Sequence, residues 1–295
     1  MGGFVLTSIG TNLLQGLLLL LLAPLFSGII SKVKARMQKR QGASVFQEYF
    51  DLWKWWRKPS ILTPYTSKVF VLAPIVYFVT AFMAAMMVPG LLKTGFSYGD
   101  AFIFVYIMAL GRFFLTLSSL DAATSFSGMG GSREIYISVL VEPAVMLAIL
   151  VNSLRYGSTT LANMVIDYSS IYFTVSAVIT AFAFFLVIVA ENGRLPVDNP
   201  DTHLELTMIE ECMTLEYSGR LLTFIHLGTM LKLMVFLVLF GALYLPVDIP
   251  VLLKALMGAV LIGVIETLNN KMRLFKVRLF LSAAVLLMAV AIIAQ

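Results

Sequence analysis

Apolar residues run along the chain in eight long blocks, at roughly 4–30, 69–92, 101–120, 134–154, 170–190, 220–245, 249–269 and 276–294. Within each block the pattern is continuous, not alternating. About 20 apolar residues let a helix cross the hydrocarbon core of a bilayer, whereas a barrel strand needs only about ten in alternation. The pattern therefore predicts an all-α, polytopic membrane protein of about eight transmembrane helices. It forms one integral membrane domain over 1–295 with no soluble domain. The connections 31–68, 121–133, 191–219 and 270–275 fall on one side, and the stretches 93–100, 155–169 and 246–250 on the other.

Two connections carry a pattern of their own. In 31–68, Phe46, Tyr49, Phe50, Trp53 and Trp56 recur at helical spacing among Lys and Arg. This predicts an amphipathic helix over 45–56, lying in the membrane interface or walling a partner or lipid-like site. In 121–133, Gly128, Gly130, Gly131 and Ser132 predict either a flexible helix connector or a loop packed against a docked subunit.

Composition sharpens the class. Of all residues, 60% are hydrophobic and 13% charged, against about 25% charged in soluble domains. The connection 31–68 holds Lys32, Lys34, Arg36, Lys39, Arg40, Lys54, Arg57, Lys58 and Lys68. Arg133, Arg194, Arg220, Lys271, Arg273, Lys276 and Arg278 lie in or beside the connections on the same side, whereas Lys93, Arg155 and Lys254 fall on the other. Cations collect on the cytoplasmic side. Both termini are thus expected on the non-cytoplasmic side of a cell's inner (cytoplasmic) membrane. The net charge of +5 reads as a topology signal, not a nucleic-acid footprint. The first block lacks the basic start and short core of a cleaved signal peptide, and is expected to remain as a first helix.

One cysteine, Cys212, and two histidines, His203 and His226, are too few for an iron–sulfur cluster, a disulfide or a haem- or zinc-rich chain. No phosphate loop, dinucleotide fingerprint or nucleophile elbow is present. The chain is expected to hold no catalytic group, metal or cofactor of its own.

Ionisable side chains inside the apolar blocks are costly and are expected to face the bundle, water or one another. They are Arg112, Glu142, Lys232 and Glu266. Each reads either as a structural ion pair that fixes helix register or as part of an ion path. Pro143 follows Glu142 directly, and its missing N–H predicts a discontinuity beside a buried carboxylate. Glu266 precedes a basic connection, where its side chain is expected to snorkel toward the interface.

The connection 191–219 concentrates acid: Glu191, Asp198, Asp201, Glu205, Glu210, Glu211 and Glu216, of 16 Asp and Glu in the chain. Gly193, Pro196 and Pro200 exclude a regular helix through 199. Residues 202–217 are predicted helical, with Asp201 or Thr202 as cap and Glu205 as the matching acid. Clustered carboxylates raise one another's pKa and exchange protons. Arg194, Arg220 and His203 are the nearby counter-charges.

These residues carry a resemblance. Glu191, Asn192-Gly193-Arg194, Pro196, Asp198, Pro200, Asp201, Glu205-Leu206 and Glu216-Tyr217-Ser218-Gly219 resemble the signature of the quinone-site membrane subunit of respiratory complex I and its hydrogenase relatives. Three stretches, QEYFDLWKWWRKP, GMGGSREIYISVLVEP and NGRLPVDNPDTHLELTMIEE, are more similar to the hydrogenase branch. That branch is the membrane subunit of hydrogenase-4 and formate hydrogenlyase complexes, the group 4 [NiFe] hydrogenases. His203 stands where complex I usually has an acid, and TMIEEC follows Glu205-Leu206 in place of a small, apolar run. Both departures favour the hydrogenase branch over a quinone chamber.

The resemblance implies eight tilted helices, with 191–219 folded against a peripheral redox arm. It implies as partners the [NiFe] large and small subunits, an iron–sulfur protein and antiporter-like membrane subunits, with the [NiFe] site and iron–sulfur clusters on those partners. It assigns proton coupling to Glu142, Glu191, Asp198, Glu205, Glu210, Glu211 and Glu216, with Arg112 and Lys232 passing the field inward. Arg133, Arg194, Asp201 and His203 are the implied partner-docking residues.

Overall fold

The computed structural model describes residues 2–89, 99–166, 174–199, 208–246 and 248–294, with side chains from Ile9 onward except Ile166. Among them it is all-helical: α1 (Gly2–Met37), α2 (Gln47–Arg57), α3 (Lys68–Met87), α4 (Ala101–Asp121), α5 (Ser125–Tyr156), α6 (Asn163–Ile166), α7 (Val175–Glu191), α8 (Glu210–Thr214), α9 (Gly219–Tyr244), α10 (Val251–Leu268) and α11 (Leu274–Ile293). Seven of these are long and apolar enough to cross a membrane, and α7, at 17 residues, is the shorter apolar helix. These are the eight apolar blocks of the sequence.

Helix α9 forms the centre, packed by α1, α2, α3, α7 and α10. Nearly all of its apolar residues from Met230 to Leu243 are buried. Rim helices turn apolar side chains outward. On α11, Phe275, Leu279, Leu286, Val290 and Ile293 are exposed at helical spacing, while Val277, Leu281, Ala284 and Met288 face the bundle. An exposed face of that kind is stable against hydrocarbon, not water.

Side chains and capping residues set the helix ends. At the acid-bearing end of the bundle, Ser67 caps α3 and also donates its N–H and hydroxyl to Asp121, each at 2.9 Å, tying the start of α3 to the end of α4. At the opposite end, Asp100 caps α4 through the Phe102 N–H and accepts from the Thr159 hydroxyl at 2.8 Å. There α5 stops at Gly157, whose φ of +62° suits glycine.

Three expectations need correction. Residues 125–133 are not a connector but the first turns of α5. Their small size is required by packing: a side chain on Gly130 would collide with Met213 N at 2.9 Å, and one on Gly131 with Ser119. Pro143 sits within an uninterrupted α5, so the predicted break is absent. The helix predicted over 202–217 reduces, among the described residues, to the five residues of α8; its proposed cap and Glu205 lie outside the described residues. Helix α2 forms as predicted. Leu52 is buried and Trp55 packs on α9, while Phe46, Phe50 and Trp53 remain 59, 65 and 58% exposed.

Candidate functional site

Arg112, near the middle of α4, is 7% exposed and is the hub of the site. Its Nη2 pairs directly with Glu191, the last residue of α7. Its Nη1 lies 3.6 Å from Glu142 and its Nε 3.5 Å from Glu134, both on α5. Neither of those nitrogens makes an aligned hydrogen bond. The attraction is therefore Coulombic, at separations a small shift of either side chain would close.

Lys232 of α9 reaches the same carboxylate from the other side. Its Nζ accepts no bond and donates to the Glu191 carbonyl at 2.7 Å, and it lies 3.6 Å from the Glu191 side chain. It thereby satisfies an open carbonyl at the end of α7 and places its charge where the helix dipole favours a cation. Two cations thus hold one carboxylate, with Glu134 and Glu142 close to the first.

Past Glu191 the chain leaves the helix through Asn192 and Gly193, the latter at φ +54°. A Cβ on Gly193 would lie 2.9 Å from Glu210 Oε2, so glycine here makes room for that carboxyl. Thr229 of α9 donates to Glu210 Oε1 at 3.0 Å, and Tyr77 of α3 meets the Thr229 hydroxyl at 3.3 Å. Burial pushes the Glu210 carboxyl above the ordinary carboxylate range; Lys232 draws it back, and Glu134 adds to the rise.

Asp198 plays a different part. It accepts from the Asn199 N–H at 2.8 Å, the Ile209 N–H at 3.0 Å, the Glu210 N–H at 3.2 Å and Lys271 Nζ at 2.5 Å. Four donors on one carboxylate make it the anchor that fixes the start of α8, and hence the position of Glu210. Nearby, Glu266 is fully enclosed rather than snorkelling. Lys34 of α1 lies 2.9 Å away and Arg194 3.4 Å away, so the ends of α1 and α10 are tied to the acidic connection. Met272 N–H donates to the Pro196 carbonyl at 2.8 Å, adding the start of α11.

The Glu216–Gly219 motif is a clasp. The Tyr217 hydroxyl donates to the Phe70 carbonyl at 2.9 Å and its ring stacks on Phe70 at 4.0 Å. Ser218 accepts from the Ile61 N–H at 2.8 Å, and Gly219, at φ +56°, leaves space for the Lys58 and Pro59 carbonyls.

The remaining candidates divide clearly. Glu211 is half-buried on α8 and lines a cavity with Glu210. Glu216 is half-buried, and among the described residues no ion pair joins it to the cluster. Arg133 donates to the Met208 carbonyl at 2.9 Å and to the Met129 sulfur, so it clamps α5 to the segment before α8. Asp201, His203 and Glu205 lie outside the described residues. Glu142 meets Arg112, as expected of these charges, and also faces outward. Its side chain is 41% exposed and opens into a groove of about 860 Å³ between α4 and α5. Apart from Arg112, Glu142, Thr116 and Ser138, that groove is walled by apolar residues such as Tyr106, Leu110, Phe113 and Leu117.

Sequence reasoning missed Glu134, Tyr77, Thr229, Lys34 and Lys271. Glu134 alone had a legible signal, since it precedes Glu142 by two turns on the broad face of one helix.

Comparison with known proteins agrees with this architecture. The NADH dehydrogenase family profile matches residues 11–295. Hydrogenase-4 component C of Escherichia coli (strain K12) is 35% identical over 241 residues, covering 79% of this chain and 74% of that protein. Formate hydrogenlyase subunit 4 of the same organism is 33% identical over 243 residues, covering 79% and 76%. A chain of the membrane-bound sulfane sulfur reductase, an archaeal respiratory membrane complex, superposes with a TM-score of 0.83 over 97% of this chain and 100% of that one. At 19% identity that likeness speaks to the fold. The chain is a multi-pass membrane protein of the NADH dehydrogenase family, in the group that includes hydrogenase-4 component C and formate hydrogenlyase subunit 4.

Proposed function

We propose that this chain is the anchoring and proton-coupling subunit of an energy-converting [NiFe] hydrogenase complex of the formate hydrogenlyase kind, in the inner membrane. The carrying observation is the arrangement of Glu210, Glu134, Glu191 and Glu142 about Arg112 and Lys232. Four carboxyls gather about two cations, and burial raises the Glu210 carboxyl above the ordinary carboxylate range, so this acid of the cluster is the one that holds a proton. One end of the cluster is Glu210, on the acidic connection where a peripheral redox arm docks. The other is Glu142, which opens sideways toward neighbouring antiporter-like membrane subunits. A charge change in the arm alters the field at Glu210, and Arg112 and Lys232 swing between carboxylates to pass the change along. The redox chemistry, with its [NiFe] site and iron–sulfur clusters, belongs to the partners.

The test is Glu142→Gln in the assembled complex, reconstituted in vesicles. Electron transfer should persist while protons moved per electron fall at least tenfold. Full coupled pumping by this variant would refute the reading.

A further inference from the structure

On the outer side of Glu210 lies a second enclosed space, of about 50 Å³. Its lining includes Asn192, Arg194, Glu210, Glu211, His226 and Thr229. Glu210 also lines the smaller cavity, of about 20 Å³, that reaches Arg112, Glu134 and Lys232, so it borders both, as Gly193 and Asp198 do. A buried water occupies about 10–15 Å³ measured this way, which gives the outer cavity room for about three.

Two polar groups in that wall are not satisfied by protein. Asn192 is 2% exposed and spends its amide N–H on the Ile188 carbonyl at 2.8 Å, but its Oδ1 has no hydrogen-bond partner. His226 is stacked on Trp55 of α2, with ring centroids 4.4 Å apart, and among the described residues its nitrogens bond to no protein group. A buried amide oxygen without a donor costs about 1–3 kcal/mol, so this wall is built for water.

We propose that His226 relays protons to Glu210 through water held on Asn192 Oδ1. The proposal rests on the proton-coupling reading above. After Glu210 passes its proton inward, the imidazolium N–H of His226 gives a proton to the held water. That water's own proton passes to the Glu210 carboxylate. The products are neutral imidazole, a carboxylic acid and an unchanged water. Glu210 and Glu211 of α8, together with Arg194 and Asp198 of the acidic connection, are the charged groups facing this space. Tyr77 of α3 reaches it through Thr229, Trp55 of α2 covers the ring, and none of the lining residues comes from α1 or α10.

The experiment uses the assembled complex in vesicles, with coupled proton movement followed against pH. His226→Ala should lower the rate about 100-fold. Added imidazole should restore the rate. Should His226→Ala fail to assemble, redox-induced infrared difference spectra of the wild type decide. The Glu210 carbonyl band should change together with an imidazole ring band that is absent in His226→Gln. A Glu210 band that changes without a ring band overturns the proposal, as does an unaltered rate in His226→Ala. Glu210→Gln run beside it separates the two ideas. If that variant pumps normally, the coupling reading itself fails. If it is blocked while His226→Ala is normal, His226 alone is wrongly assigned.

Discussion

Glu210 owes its place to a residue with no side chain. Gly193 combines a positive φ with a close approach to the Glu210 carboxyl, so Gly193→Ala is penalised twice, by about 1–2 kcal/mol for the backbone and by displacement of the acid. The variant should melt earlier and lose the infrared carbonyl band of a protonated Glu210, and an unshifted band would show that the acid does not depend on this glycine. In the wild type that band should persist at pH values where an ordinary carboxyl has ionised, because burial raises the pKa of Glu210. The same shift fixes the sign of its effect on stability. Between the unfolded and folded pKa values the folded chain binds more protons, so this group's stabilisation is complete below the ordinary carboxylate value and is lost as pH rises through the folded one. Glu210→Gln should therefore gain thermal stability over the wild type in alkaline buffer and not in acid. Equal pH dependence of the two melting curves would refute that.

Among elements, the helices were legible and their attachments were not. An apolar run of about 20 residues has few alternatives to a transmembrane helix, and the aromatic spacing of α2 carried its own period. The glycine-rich start of α5 read as a connector because glycine disfavours helix locally, whereas the close approach of α8 and α4 demands small residues there. The acids of 191–199 were conspicuous, but the pairings of Lys271 with Asp198, Lys34 with Glu266 and Glu134 with Arg112 exist only in three dimensions. Asp198 read as a coupling acid, and its four donors could not be read from the sequence. Removing that anchor as Asp198→Ala should cost about 2 kcal/mol by orphaning the first N–H groups of α8. Lys271→Gln, at a partly exposed partner, should cost less than ~1 kcal/mol. Glu266→Gln should cost more than either, about 3 kcal/mol, since it leaves Lys34 and Arg194 as enclosed cations. Thermal unfolding of the three variants in detergent ranks them, and a reversed order would mean that the acidic connection is held elsewhere.

For the whole molecule, the decisive asymmetry is lateral. Charge inside a membrane protein ordinarily faces the bundle, and Arg112, Glu191 and Lys232 do so. Glu142 does not; it opens with Ser138 into the groove between α4 and α5, whose other walls are largely apolar. Against lipid alone, a half-exposed carboxyl at that depth would be a standing penalty of about 2–3 kcal/mol. Under the proposed function a neighbouring membrane subunit seated on the groove would give it a polar contact instead. Ser138→Trp tests this at the scale of the complex, because the indole would fill the groove without touching the acidic connection or its anchors. If the proposed function holds, the chain should still insert and still retain the peripheral arm, while the antiporter-like subunits separate on native gels and coupled proton movement falls with them. Electron transfer in the arm should continue. Retention of every subunit by Ser138→Trp would mean that the groove faces lipid, and the exit of the charge path would then have to be sought on another face of the bundle.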